Sequence, residues 1–327
     1  MKTRPPSDVA VLRTLQGGLR DLGDDAVVAA IERTPYPYAT SFPLEEVVAR
    51  LEDGRTLHLI LKDLTWDRLL GQAATTKPRF LHEPRRCFDV HRRVLAGTGV
   101  GPTFYGAFVD GQRRRYWFLS EKVEGVELWQ IGDLATWEAV ARWLARFHTR
   151  FAGAVDDLAR RSRHLLRYDR QLLSVWPARA REVSPDLDLA RVVSRYGTVV
   201  ERLAHVPPTL VHGELYPSNV LVHEGDDRVD VWPVDWELAG TGPALLDLAA
   251  LTSGWQGPEQ AQLVDAYRDE LVRSGAPPGE DFDVVLDCCR MHYALQWLGW
   301  SSQWSPPPEH TRDWLSDAIE LGERLAL

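Results

Sequence analysis

The sequence holds no apolar run approaching the ~20 residues that a membrane-spanning helix needs. Its start, Met1-Lys2-Thr3-Arg4-Pro5-Pro6, also lacks the apolar centre of a secretory signal. Both absences argue against a membrane partner and place the expected location in the cytoplasm. Cysteine is scarce: Cys87, Cys288 and Cys289 form an odd set with two adjacent members. Neighbouring cysteines bridge with difficulty, so reduced thiols are expected rather than a disulfide framework. Positive charge is in deficit as well, with 38 Lys and Arg against 47 Asp and Glu and a formal net charge of -9. A general nucleic-acid binder needs a basic footprint to displace counterions from phosphates, and this balance argues against one. There is no Walker loop, no Gly-x-Ser-x-Gly elbow, no zinc-protease helix, no internal repeat and no low-complexity tract. What is present is an ordinary globular composition, 44% apolar and 26% charged, over 327 residues. That length suffices for two lobes, each with a buried core.

The chemistry concentrates in residues 211–220, Val-His-Gly-Glu-Leu-Tyr-Pro-Ser-Asn-Val, followed by Val234-Asp235-Trp236-Glu237. Two short apolar runs, Thr209-Leu210-Val211 and Val220-Leu221-Val222, flank a loop that carries Glu214 and Asn219. The second run passes through the turn Glu224-Gly225-Asp226-Asp227 into residues 229–235, which predicts a hairpin with Asp235 at its end. Kinase catalytic loops place an acid five residues ahead of an asparagine. The acid meets the acceptor hydroxyl, and the asparagine and a later aspartate hold magnesium. Glu214, Asn219 and Asp235 keep that order, and amide and carboxylate oxygens are the hard ligands magnesium prefers. His212-x-Glu214 also matches the first half of a zinc-deaminase signature. No Pro-Cys-x-x-Cys follows to complete it.

The text resembles the aminoglycoside phosphotransferase family of kinase-like enzymes, whose loop reads His-Gly-Asp-x-x-x-x-Asn and whose metal motif reads Ile-Asp-Trp-Glu. His212-Gly213-Glu214 and Val234-Asp235-Trp236-Glu237 carry the likeness, with Glu214 in place of the family's aspartate. The extra methylene moves the carboxylate outward by about 1 Å, and a displacement of that size costs on the order of 100-fold when nothing compensates. The resemblance spans about residues 40 to 250. It implies a bilobal α+β protein-kinase-like fold, with a small antiparallel-sheet lobe over residues 1–122 and a helical lobe over 123–327. It further implies ATP and Mg2+ between the lobes, and transfer of the γ-phosphoryl group to a hydroxyl of a small polar acceptor: an aminoglycoside, another sugar or an amino alcohol. Two other readings stay open, a peptide Ser/Thr kinase of a biosynthetic pathway and a nucleotide-binding pseudokinase.

Along the chain, residues 8 to 33 hold an amphipathic helix candidate built on Val9, Val11, Leu12, Leu15, Leu19 and Leu22, weakened by Gly17-Gly18. Residues 33–43 are too rich in proline for a central strand. In the resembling family this stretch covers the nucleotide, which makes Ser41 the candidate phosphate contact. Residues 46–51, the turn Asp53-Gly54 and residues 56–62 read as a hairpin with Leu57, Leu59 and Leu61 on one face and His58, Ile60 and Lys62 on the other. Lys62 falls where kinases place the lysine that pairs with the α and β phosphates. Its expected acidic partner lies on the helix predicted over residues 83–95, Glu83 or Asp89; Glu83 is chosen, because it shares a helix face with position 87, where the resembling family has its glutamate. The glycines of residues 97–102 follow a helix and precede a strand, the reverse of a dinucleotide fingerprint, so they read as a helix stop and turn. A second hairpin over residues 104–109 and 115–119 leads into a hinge at residues 120–125. There, by resemblance, backbone groups of Glu121 and Val123 hold adenine.

The remainder reads as helical. Trp137, Val140, Ala141, Leu144, Phe147, His148 and Phe151 recur at helical spacing from Thr136, with His148 read as a buried, satisfied histidine. Further helix is expected over 158–205, then a turn at 239–243, then helices at 244–251, 258–271 and 282–300, with a structural role for Asp247. Trp300, Trp304 and Trp314 around Pro306-Pro307-Pro308 form either plain packing or a substrate wall.

Overall fold

Two-residue periodicity in Thr56–Asp63 and its neighbours builds an antiparallel sheet in the first of the chain's two compact units, Met1–Glu124; the second is Gly125–Leu327. The computed structural model describes residues 4–225, 228–303 and 312–327. The first unit runs α1 (Asp8–Asp21), β1 (Val28–Pro35), β2 (Leu44–Leu51), β3 (Thr56–Asp63), a single turn α2 (Ala73–Thr76), α3 (Pro84–Asp89), β4 (Phe104–Asp110) and β5 (Arg115–Glu121). Its five strands are ordered β1-β2-β3-β5-β4 and every neighbouring pair is antiparallel. Leu59 and Leu61 join Val11, Leu15 and Leu19 of α1, together with Trp117 and Leu119, in one core. Each such aliphatic side chain contributes about 1.5–3 kcal/mol on burial. Lys62 stands opposite Phe118 in the register. Directly opposed residues share a face, so Lys62 belongs to the other side of the sheet. That side carries a second cluster of Phe42, Leu64, Leu69, Cys87, Phe88 and Phe118.

The helix expected over 8–33 ends at Asp21, and residues 28–35 are a strand. Gly23 is the cause. At φ 78° it takes the left-handed conformation, which allows Asp24 N–H to donate to Leu19 O at 2.9 Å and Gly23 N–H to donate to Arg20 O at 2.9 Å, a closed helix end. Gly17-Gly18 does not interrupt the helix. A Cβ at Gly18 would stand 1.6 Å from the carbonyl oxygen of Tyr105, so the missing side chain is what lets β4 lie against α1. Gly18→Ala is therefore expected to destabilise the first unit by about 1–3 kcal/mol through overpacking. Thermal unfolding reads this directly, and an unchanged midpoint would mean that α1 and β4 separate at no cost.

The second unit contains β6 (Val126–Glu127), α4 (Leu134–Phe151), α5 (Val155–Arg161), β7 (Leu166–Arg167), α6 (Arg170–Leu173), α7 (Val175–Val183), α8 (Leu187–Arg195) and α9 (Gly197–His205). There follow β8 (Thr209–Val211), β9 (Val220–Glu224), β10 (Val229–Pro233), β11 (Gly240–Gly242), α10 (Leu245–Leu251), α11 (Gly257–Arg273), α12 (Phe282–Leu298) and α13 (Trp314–Arg324). Two small sheets, β10-β9-β6 and β7-β11-β8, interrupt the helices.

Three expectations are corrected here. Helix α4 begins two residues before Thr136, because the Asp133 carboxylate caps it by accepting the Thr136 N–H at 3.1 Å. The helical stretch over 158–205 is broken by strand β7, and it restarts where Asp169 and Asp186 cap α6 and α8. Residues 240–242 are a strand rather than a plain turn, parallel to β7 and antiparallel to β8. Glycine is needed at both ends of it, since a Cβ at Gly240 would meet Leu166 O, and one at Gly242 the Tyr168 side chain, at 2.6 Å.

Cys87, Cys288 and Cys289 are free and buried. Burial pushes the Cys288 thiol up to about 11. No helix among the described residues is long and apolar enough to cross a membrane. Trp300 stacks on Trp176 at 5.9 Å and Trp314 on Trp297 at 5.3 Å, which is packing. Trp304 and Pro306-Pro307-Pro308 lie outside the described residues, as do Asp226 and Asp227.

Candidate active site

In the first unit Lys62 ends an apolar strand and is itself buried, only 9% exposed. A lysine is seldom that buried without a task or a partner. Its register partner Phe118 meets Phe88 of α3 at 6.0 Å. Glu83 is the cap of α3, its carboxylate accepting the Arg85 N–H at 3.1 Å, with Pro84 as the first helical residue. Asp89, the other acid considered for Lys62, lies 3.5 Å from Arg93 one turn later. The helix expected through residue 95 continues past Asp89 as a wider π-type turn, Val90–Val94. Ser41 sits in the connection between β1 and β2, where its carbonyl accepts the Leu70 N–H at 3.0 Å. That connection meets the sheet beside Lys62, since Leu44 is its register partner and Pro43 O accepts the Asp63 N–H at 3.0 Å. Glu121 ends β5, with its N–H on Thr103 O at 2.8 Å and its carboxylate accepting the Thr103 N–H at 3.0 Å. Val123 follows two residues later, just before the boundary between the units at Glu124.

In the second unit Glu214, Asn219 and Asp235 come together through the backbone. The Asn219 amide nitrogen donates to Glu214 O at 2.8 Å, which turns its amide oxygen outward as an acceptor. Val234 N–H donates to Asn219 O at 2.9 Å and ties the hairpin end to the loop. Asp235 itself holds φ 64° and ψ 60°, a left-handed conformation that is uncommon outside glycine. Such strain persists where the surroundings enforce it, often at functional sites.

Two motif residues, His212 and Gly213, and three tyrosines that sequence reasoning passed over hold this arrangement. His212 bridges the two motifs: its Nδ1 accepts the Glu214 N–H at 3.3 Å, and its Nε2 lies 2.8 Å from Val234 O. One neutral tautomer, protonated on Nε2, satisfies both contacts. Its ring also packs on Trp236 at 4.5 Å. Gly213 adopts φ 84°, and a Cβ there would stand 2.1 Å from the Tyr168 hydroxyl and 2.4 Å from Leu238 O. Its carbonyl accepts from the Tyr293 hydroxyl at 2.9 Å, while Tyr168 O–H donates to Leu238 O at 2.9 Å. Burial first, then the Glu214 charge, holds the Tyr216 phenol well above its usual range, so it stays protonated beside the loop. His212 and Gly213 were legible as motif residues, though not their contacts; adjacency to Glu214 and Asn219 was the one signal for Tyr216, and Tyr168 and Tyr293 carry none.

Asp247 takes the structural role expected of it. Fully buried at the start of α10, its carboxylate accepts His212 N–H at 2.7 Å and Gly213 N–H at 2.9 Å, and it meets His148 Nε2 at 3.2 Å. His148 is a satisfied buried histidine, with Nδ1 2.8 Å from the Tyr267 hydroxyl. Asn219 and Asp235 together offer an amide oxygen and a carboxylate, a donor set suited to magnesium rather than to a soft metal. Among the described residues no group of three or more His, Cys, Asp or Glu forms a closed cage.

Residues 46–281 match the phosphotransferase enzyme family. No curated protein matches the chain. Solved structures do. One from Ralstonia eutropha, provisionally named an aminoglycoside phosphotransferase, has 16% identity and a TM-score of 0.62, covering 96% of this chain and 97% of its own. A choline kinase from Streptococcus pneumoniae has 16% identity and a TM-score of 0.54 over 97% of this chain and 99% of its own. An aminoglycoside 2'-phosphotransferase in complex with GDP has 14% identity and a TM-score of 0.56, covering 98% of each chain. These likenesses establish the bilobal protein-kinase-like fold, a small antiparallel sheet followed by a helical region. With 236 of its 327 residues matched, the chain belongs to the phosphotransferase enzyme family, whose members move a phosphoryl group to a hydroxyl.

Proposed function

We propose that the protein transfers the γ-phosphoryl group of ATP, with Mg2+, to a hydroxyl of a small polar acceptor, an aminoglycoside, another sugar or an amino alcohol. The observation that carries this reading is the tie between the motifs, Val234 N–H on Asn219 O and Asn219 Nδ2 on Glu214 O. It supports a site in which an acid and an amide oxygen on one loop are joined by a carboxylate from the end of the following hairpin. The choline kinase and the aminoglycoside phosphotransferase among the structural neighbours support a small-molecule acceptor, and the AMP and GDP complexes among those neighbours support a nucleotide donor.

In this reading Glu214 orients the acceptor hydroxyl and takes its proton as the oxygen attacks. Its backbone is held on both sides, by His212 at the N–H and by Asn219 at the carbonyl. Asn219 and Asp235 hold magnesium, which when bound neutralises phosphate charge. Lys62 binds the α and β phosphates, with Glu83 at the head of α3 orienting it. Ser41 contacts phosphate from the β1–β2 connection. Adenine meets the backbone after β5. Glu121 N–H is already engaged with Thr103, so Glu121 offers its carbonyl and Val123 its N–H.

The test is a calorimetric titration of the purified chain with ATP, with and without magnesium. Native protein is expected to bind ATP in a magnesium-dependent way, Asp235→Asn to lose that dependence, and Lys62→Ala to weaken binding about tenfold, as loss of a charge-assisted bond of ~1.5 kcal/mol would. No ATP binding by folded native protein would end the proposal.

A further inference from the structure

Lysine is rare in this chain: Lys2, Lys62, Lys77 and Lys122 are the only four among 38 basic residues. Most of the basic residues are arginines, and Lys122 pairs with Glu46 at 2.7 Å. Lys77 lies in the segment between β3 and α3, with its Nζ 5.2 Å from the centroid of the Phe42 ring. Phe42 is 2% exposed and anchored among Leu64, Leu69, Cys87, Phe88 and Phe118. Phe118 is the register partner of Lys62. The ring under Lys77 therefore belongs to the face of the sheet that carries Lys62, and Phe42 directly follows Ser41.

Two further basic side chains rest on the same platform. His82 stacks on Phe42 at 5.6 Å and meets Trp66 at 5.0 Å, and the Arg79 guanidinium lies 4.9 Å over Trp66. A ring face attracts an ammonium and limits the sweep of its flexible stem. A compact ammonium is suited to phosphate as a point charge. Buried Pro78 next in the chain restrains the backbone as well.

We propose that Lys77 is a second phosphate-binding cation for the nucleotide, presented by Phe42 on the face of the sheet that carries Lys62 and next to Ser41. This rests on the ATP-dependent reading given above. Lys62 reaches the phosphates from the strand, and Lys77 reaches them from the segment that follows it. Adenosine carries no phosphate and gains nothing from Lys77, which separates a binding role from packing.

The experiment is calorimetry on the full chain with Mg-ATP and with adenosine, for native protein, Lys77→Met, Lys77→Arg and Lys62→Ala. Methionine keeps the stem over Phe42 and removes the charge. Lys77→Met is expected to weaken ATP binding about tenfold and leave adenosine binding unchanged, with Lys77→Arg recovering most of the loss. Native ATP affinity in Lys77→Met overturns the proposal, and so does an equal loss for adenosine, which marks a packing role. If native protein binds ATP and Lys62→Ala weakens it while Lys77→Met does not, only the assignment of Lys77 falls. If folded native protein binds no ATP, the phosphotransfer reading falls first and this one with it.

Discussion

Replacing Glu214 with alanine or glutamine is expected to slow phosphoryl transfer about 100- to 10,000-fold, the span of general-base contributions, while magnesium-dependent ATP binding stays within about twofold of native. The separation follows from where the residue sits. Its backbone is held by His212 and Asn219 whatever side chain it carries, so neither change should disturb Asn219 or Asp235. Glutamine keeps the shape and loses the proton acceptor, which makes it the cleaner of the two variants. Rates would be measured with the best acceptor from a panel of aminoglycosides, sugars and amino alcohols, and affinities by titration. Native turnover in Glu214→Ala would remove the carboxylate from the mechanism. A parallel loss of ATP affinity would recast it as a binding residue.

The largest effect on stability is expected from Asp247→Ala. That carboxylate is fully buried and receives two backbone N–H groups of the catalytic loop besides His148. Alanine leaves both donors without partners in a dry interior, at about 1–3 kcal/mol each. The midpoint of the second unit should fall by roughly 5–15 °C on the usual scale for a unit of this size, and activity should fall with it as the loop shifts. Asp247→Asn should be intermediate, because its amide nitrogen faces one of the same donors. Circular dichroism on heating checks both variants, and a midpoint unmoved by alanine would show that the loop is held by other contacts.

The parts of the protein legible in the sequence were those whose reasons are local. Two apolar runs flanking an acid and an asparagine, then a short hairpin ending in aspartate, gave β8, β9 and β10, with Glu214 and Asn219 between the first two and Asp235 after the third. Strict alternation gave β2 and β3 and put Lys62 on the face away from Leu59 and Leu61. What escaped depended on distant partners. Gly240 and Gly242 look like turn residues, yet their lack of side chains makes room for Leu166 and Tyr168. Gly18 looks like a helix weakener until Tyr105 is placed against it. The end of α1 was hidden because apolar residues resume at Val27 and Val28, and only the left-handed Gly23 separates helix from strand. Tyr168 and Tyr293 belong to no motif, and their hydrogen bonds reach across 70 and 80 residues.

That span governs when the enzyme becomes competent during its own synthesis. All five strands of the first sheet lie between residues 28 and 121, so that unit is complete in the chain early and is able to form as a body while translation continues. The loop bearing Glu214 is different. It gains its Asp247 anchor only after 34 more residues and its Tyr293 anchor only after 80. Contacts so far apart in the chain form late, after the entropy of closing the intervening loop has been met. A nascent or truncated chain ending ahead of α12 would carry the first unit's sheet, every motif residue and Asp247, and still lack the Tyr293 hydroxyl that holds the Gly213 carbonyl.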